Sequence, residues 1–378
     1  MKILLLGEYS RLHNSLREGL TQLGHQVVIV STGDGFKGYD ADYKITPKVF
    51  RSPLLRKLRS LVFWITKIDL ERTELGWLFW RLIPKLKGFD HVQLINSDAL
   101  ETHGWLARRI LDKIFRQNGS FSLLICGDEP PVVNYSLANN LKYSILTPYL
   151  NNKSLKYLFY YTLKYNSATH WDLFRFIIQR ARCIITSDLD YEIPMKAQGY
   201  PTTFIPNPIN TDAIHHINNP VTDKVIVFLG INRNSYYKKG INYFEDALEI
   251  VKKTHAHKVE ILVTENIPYK EYITLYDKAH ILLDQVYAYD QGYNALEAMA
   301  KGKVVFTGAE TEFTEHYNIT APVNINAVPD AEAIARELIF LIDNPAEISA
   351  MGKRARAFIE QHHHYVKVAE QYLDCWLK

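Results

Sequence analysis

Short uninterrupted apolar runs alternate along the chain with segments whose apolar residues recur every three or four positions. Residues 2–7 form such a run. Leu12, Leu16, Leu20 and Leu23 follow at helical spacing, Gly24 stops them, and residues 27–30 open the next run. This reads as strand, helix, strand, and strands that are apolar throughout are the kind buried on both faces of a parallel sheet. Further strands are predicted at 91–95, 123–126 and 183–186, with helices over 105–115 and 171–181. After the Pro/Asn-rich segment 205–210 the alternation restarts at 225–230 and continues through 259–263, 280–283 and 304–306. Residues 331–378 are helical in period, with breaks at Asn344-Pro345 and at His362–His364. The pattern predicts an α/β protein of two facing, Rossmann-like doubly wound domains, residues 1–206 and 207–360, with ligand bound between them.

Composition narrows the class. A length of 378 residues suits two to three domains, and 47% hydrophobic with 22% charged residues excludes a disordered or low-complexity chain. The three cysteines, Cys126, Cys183 and Cys375, are far apart in sequence and form no CxxC pair. That excludes a disulfide framework and a four-cysteine zinc site, and it suits a reducing cytoplasm. The first apolar run breaks at Gly7 and Glu8, too soon for a signal peptide or a membrane span, so a cytoplasmic protein is expected. The net charge of +3 conceals an asymmetry: residues 1–180 carry 25 Lys+Arg against 15 Asp+Glu, and residues 181–378 carry 19 against 26. A basic half suits anionic lipid or a phosphorylated substrate. Without an aromatic-basic RNA signature or a DNA-reading motif, no nucleic-acid partner is expected.

The first strand ends Leu6-Gly7-Glu8-Tyr9-Ser10, which keeps only the first glycine of GxGxxG, and no P-loop occurs, so no dinucleotide cofactor is expected. Gly7 fits first a plain strand-to-helix turn and only second a close approach of acceptor or phosphate to backbone. Residues 284–305 read as strand, glycine-containing loop, helix, glycine stop and strand. Gly292, Tyr293 and Asn294 open that helix, where unpaired N–H groups attract anions. Glu297, one turn in, can accept hydrogen bonds from sugar hydroxyls or simply stabilise the helix dipole. Arg233, Lys238 and Lys239 follow the strand 225–230; they can grip a diphosphate or sit in solvent as a basic loop. Asp128 and Glu129 follow the strand 123–126, placed for acceptor binding, proton removal or capping.

In this context Leu296-Glu297-Ala298-Met299-Ala300 with Gly302, Val304 and Val305 resembles the carboxyl-terminal signature of GT-B fold glycosyltransferases, family-4-like, which are retaining and use nucleotide-sugars. Gly230-Ile231-Asn232-Arg233 with Lys239-Gly240 is similar to the family's diphosphate-holding segment. Residues 205–212, Ile-Pro-Asn-Pro-Ile-Asn-Thr-Asp, resemble the turn that opens the second domain, and Asp343-Asn344-Pro345 with Met351-Gly352 resembles the closing helices. The resemblance implies a UDP- or GDP-sugar donor in the second domain, held by Arg233, Lys238, Lys239, Gly292, Tyr293, Asn294 and Glu297. It also implies a glycan or lipid-linked acceptor in the first, a last helix (361–378) that crosses back to the first domain, and a role in cell-surface polysaccharide synthesis. Two positions depart from the pattern. Tyr289 stands where a second glutamate is usual, with Asp290 as its substitute after a one-residue shift, and the histidine usual after the strand 123–126 is replaced by Asp128 and Glu129, which become the expected catalytic carboxylates. Gly7, Glu8 and His103 are the expected acceptor contacts, with His13 a further cleft candidate. No DxD motif occurs, so no metal is expected and cationic side chains must neutralise the leaving diphosphate. A nucleotide-sugar 2-epimerase and an inactive binding partner of the same fold are the competing readings.

Over 51–67, Leu54, Leu58, Leu61, Val62 and Ile65 share one helical face, interleaved with Arg51, Arg56, Lys57, Arg59 and Lys67. Such a basic amphipathic helix suits peripheral contact with the anionic inner face of a membrane, or packing against its own domain.

Overall fold

A computed structural model of the chain describes residues 1–35, 38–265, 267 and 269–378, with the side chains of Tyr269 and Lys270 outside the description. The first sheet contains β1 (Lys2–Leu6), β2 (Gln26–Ser31), β3 (Tyr43–Lys44), β4 (His91–Leu94), β5 (Ser120–Ile125), β6 (Ile184–Thr186) and β7 (Thr202–Phe204). Its order is β3-β2-β1-β4-β5-β6-β7, and the pairings are parallel. The second sheet contains β8 (Val225–Ile231), β9 (Val259–Glu265), β10 (Ile281–Leu283), β11 (Val304–Thr307) and β12 (Ile325–Asn326), in the order β12-β11-β10-β8-β9, again parallel. β1 is wholly apolar from Ile3 to Leu6 because helices cover both of its faces, and each of those side chains is buried. Strand order reverses between β1 and β4 and between β8 and β10. Beyond the carboxyl ends of those strands a doubly wound sheet opens the crevice that binds ligand.

The chain crosses between the domains twice, and the crossings lie side by side. Ile209 N donates to His363 O at 2.7 Å, and Tyr365 N donates to Ile209 O at 3.0 Å. Burial pushes the His363 ring down to about 4, so it is neutral, and its Nδ1–H donates to Asn207 O at 2.9 Å. A π-turn at Ile359–His363 breaks the helical run where the histidines stand, and the helix Tyr365–Leu377 then returns to the first domain. It lies on the helix Leu12–Gln22 closely enough that a Cβ at Gly19 would stand 2.3 Å from Tyr365 O. At its far end Trp376 stacks on His91 with ring centres 4.4 Å apart and donates through Nε1 to Gln93 Oε1 at 2.9 Å.

Three strands were not expected from the periodicity. β3, β7 and β12 are edge strands of two or three residues, shorter than any period can register. The helix expected over 171–181 runs Ala168–Ile178, opening after Ser167. Trp376 is fully buried in the first core, so Trp376→Ala should cost about 3–5 kcal/mol. Denaturant unfolding should show the loss.

Candidate functional site

The first domain's side of the cleft forms at the carboxyl ends of β1, β4 and β5. Gly7 leaves β1 at φ +84°, and a Cβ there would lie 2.2 Å from Ile95 Cγ2, so the turn requires glycine. Glu8 then turns inward. Its Oε2 accepts from Asn14 N at 2.8 Å and from Asn14 Nδ2 at 2.7 Å, while its buried Oε1 has no hydrogen-bond partner. Burial lifts its carboxyl to about 7. His13, buried and held down at about 4 by desolvation, donates from Nδ1 to Gly7 O at 2.7 Å. Glu129 is fully buried beneath the cleft, where it accepts from Ser97 N and, at 2.6 Å, from Ser97 Oγ. Burial lifts its carboxyl to about 8. His103 is placed apart from Gly7 and Glu8: its Nε2 donates to Asp69 O at 2.9 Å, at the foot of the segment that carries the basic helix.

Asp128 is a first-domain carboxylate linked to the opposite domain through one hydroxyl. Thr162 Oγ1 donates to Asp128 Oδ2 at 2.8 Å and accepts from Lys238 Nζ at 2.9 Å. One hydroxyl therefore joins a buried carboxylate of one domain to a cation of the other. Burial raises the Asp128 carboxyl and lowers the Lys238 ammonium, each partly offset by the other's charge.

In the second domain Asp284, the residue after β10, is almost fully buried and accepts from Lys239 Nζ at 2.8 Å and Asn294 Nδ2 at 3.0 Å. It ties the basic turn after β8 to the start of the helix Tyr293–Ala300, which Gly292 precedes. Tyr293 crosses to the first domain, with its hydroxyl against Ser15 Oγ and donating to Pro208 O at 3.1 Å. Glu297 lies one turn further along, partly buried, close enough for its charge to raise the hydroxyls of Tyr276 and Tyr293. Arg233 is placed differently from its neighbours. It is about half exposed (53%) and makes a bidentate pair with Glu265 at 2.8 and 2.6 Å.

Tyr289 and Asp290 belong to the domain junction. Tyr289 is buried and its hydroxyl accepts from Lys142 N at 2.8 Å; Asp290 accepts from Leu189 N at 3.3 Å and Gln291 N at 2.8 Å. Asp190 of the first domain accepts from the backbone N–H groups of Tyr289 and Asp290 at 3.1 and 3.2 Å. Nearby, Lys142 Nζ donates to Glu310 Oε2 at 2.9 Å, and Tyr143 donates to the same carboxylate. Asp284 and Thr162 were both missed in the sequence: Asp284 offered the signal of a first polar residue after an apolar run, and Thr162, in an irregular helical stretch, offered none. Among the described residues no group of three or more His, Cys, Asp or Glu side chains is arranged to hold a metal ion.

Residues 240–374 match the glycosyl transferase-like family. Comparison with curated proteins finds no match. Among solved structures, the chain is similar to sucrose-phosphate synthase from Thermosynechococcus elongatus (15% identity, TM-score 0.63, 99% of this chain and 98% of that one). It is also similar to HepE from Anabaena in complex with UDP and glucose (13% identity, TM-score 0.60, 99% and 98%). A third similar structure, assigned as a UDP-N-acetylglucosamine 2-epimerase, comes from Listeria monocytogenes (12% identity, TM-score 0.54, 98% and 94%). Two facing parallel sheets, with the last helix returned to the first of them, give the GT-B fold, and the second carries the match to the glycosyl transferase-like family.

Burial of Asp188, Asp190 and Asp290 together at the junction raises all three carboxyls, those of Asp190 and Asp290 to about 7. A carboxyl whose folded value is raised binds its proton more tightly when folded. Its contribution to stability is therefore full below the ordinary value near 4 and is lost as pH rises to about 7. Asp290→Asn should flatten the fall of the melting temperature between pH 5 and pH 8, measured by thermal scanning across a buffer series; an unchanged slope would assign the dependence to other groups.

Proposed function

We propose that this protein transfers a sugar, with retention of configuration, from a UDP- or GDP-sugar to a glycan or lipid-linked acceptor in the synthesis of a cell-surface polysaccharide. The observation that carries this reading is the Asp128–Thr162–Lys238 bridge, which puts a carboxylate from the acceptor side and a cation from the donor side at one point of the cleft. Lys238, Lys239 and the N-terminal amides of the helix Tyr293–Ala300 supply the positive field for a leaving diphosphate, with no metal in the scheme. Glu297 accepts hydrogen bonds from donor hydroxyls. Arg233 joins the diphosphate by exchanging Glu265 for phosphate, an exchange that costs little between exposed partners. Asp128, with its raised carboxyl, receives the proton of the acceptor hydroxyl. Glu129 fixes the loop after β4 through Ser97, and Gly7 and Glu8 line the acceptor side.

The reading is tested by mixing the purified protein with a panel of nucleotide-sugars and following thermal shift, then release of nucleoside diphosphate with and without added acceptor. Acceptor-dependent release supports transfer. Formation of the 2-epimer without an acceptor would support the epimerase reading, to which the Listeria structure lends its fold. Lys238→Ala should weaken nucleoside diphosphate binding by roughly 10- to 100-fold in calorimetry, since a charge-assisted contact is worth about 1.5–3 kcal/mol. Unchanged affinity in a folded variant would remove Lys238 from the donor site.

The basic helix extends the proposal to a lipid-linked acceptor at the inner face of the cell membrane. It runs Arg56–Thr66 after a 3₁₀ turn at Pro53–Leu55, and it buries none of its residues. Leu54, Trp64 and Ile65 are 92%, 74% and 64% exposed. Arg59 pairs with Asp69 and Glu71, and Arg51 with Glu71, so these two hold the helix to its domain, while Arg56 and Lys57 remain for lipid headgroups. No helix among the described residues is long and apolar enough to cross a membrane. Vesicles rich in anionic lipid should pellet the protein at low salt and release it at high salt. Trp64→Ser with Arg56→Ser and Lys57→Ser should abolish pelleting while leaving nucleotide binding intact. Equal pelleting with neutral vesicles, or none with either, would detach this helix from the membrane.

A further inference from the structure

Two of the three cysteines, 192 residues apart in sequence, meet in space. Cys183 stands just before β6, and Cys375 lies in the last turns of the returning helix Tyr365–Leu377. Both thiols are free, with sulfurs 2.9 Å apart. A disulfide measures about 2.05 Å, so closure needs less than about 1 Å of side-chain movement. Cys183 is half-buried beside exposed Arg182, which gives a small oxidant access to the pair.

We propose that Cys183 and Cys375 are a modification site, a dithiol that hydrogen peroxide converts to a disulfide stapling the carboxyl-terminal helix to the first sheet. Hydrogen bonding from Cys183 holds the Cys375 thiol down at about 7, so Cys375 supplies the thiolate. That thiolate attacks the peroxide: an S–O bond forms, the O–O bond breaks, and hydroxide leaves and takes up a proton as water. The Cys183 sulfur then attacks the sulfenic sulfur. The S–S bond forms and a second water leaves with the Cys183 proton. The closed loop contains the crossing at Ile209 and the whole second domain, so the staple constrains a very long segment of the unfolded chain. Helix and sheet are already packed together, and neither cysteine lies in a crossing segment, so the bond leaves the crossings as they are.

The full-length protein is treated with hydrogen peroxide, alkylated with iodoacetamide, digested and analysed by mass spectrometry. The expected result is a linked peptide pair containing residues 183 and 375, together with a melting temperature raised by roughly 5–10 °C and restored by dithiothreitol. Nucleotide binding should be unchanged. Cys126→Ser should behave as the parent protein, and Cys183→Ser, at the more exposed position, should lose both the link and the shift. Alkylation of both residues after peroxide, linkage of either to Cys126, or over-oxidation to sulfinic acid without a link would overturn the proposal.

Discussion

Ile209 pairs through its backbone with both His363 and Tyr365, and that short parallel bridge holds the two crossings between the domains side by side. Because the outgoing and returning chains are hydrogen-bonded neighbours, the two domains are joined along one edge. His363 strengthens the join by staying neutral when buried, since a charged ring at that depth would carry the full desolvation cost. The returning helix then commits its apolar face to the first domain, with Tyr372 and Trp376 fully buried. The carboxyl ends of β1, β4, β8 and β10 border the crevice between the two domains.

The contacts between the domains combine polar pairs, Lys142 to Glu310, Lys238 to Thr162, and Asp190 to the backbone of Tyr289 and Asp290, with aromatic packing of Tyr143 on Tyr287 and Tyr289 and of Phe204 on Tyr317. Each polar pair contributes typically about 0.5–1.5 kcal/mol net, and the buried aromatic contacts add apolar burial that holds the domains together. The three buried aspartates sharpen the balance. When ionised they repel one another and favour water, so the closed arrangement is held most firmly where they keep their protons.

The two sheets were legible in the sequence because their central strands are covered on both faces. Residues 3–6 or 281–283 cannot alternate with polar positions when helices lie above and below. The short edge strands β3, β7 and β12 were not legible, being held by neighbours rather than by their own composition, whereas the seven-residue edge strand β9 was. Of the site, the helix start at Gly292 and the cations after β8 were readable as local patterns. The partners that give them meaning were not: Asp284 lies 45 residues from Lys239, and Thr162 lies 76 from Lys238. The same applies to the cysteines, whose sequence separation excludes a framework and conceals one contact.

The distribution of compensating charge sets the order of events in the proposed reaction. Arg233 faces Glu265 and Lys239 faces Asp284, so each has a carboxylate partner before any donor arrives. Among the described residues Lys238 meets no carboxylate directly: it donates to the Thr162 hydroxyl, lies over the Phe159 ring and has Asp128 one atom further on, and burial weakens its charged form. An incoming diphosphate therefore gains most from Lys238, because it supplies the charge that the cleft has left incomplete. As Lys238 turns to phosphate, Thr162 loses its donor and Asp128 loses part of the positive field that held its carboxyl down, so its proton affinity rises further. In the proposed reaction, donor binding thus raises the basicity of Asp128, the carboxylate assigned there to the acceptor's proton, before the acceptor has to be present.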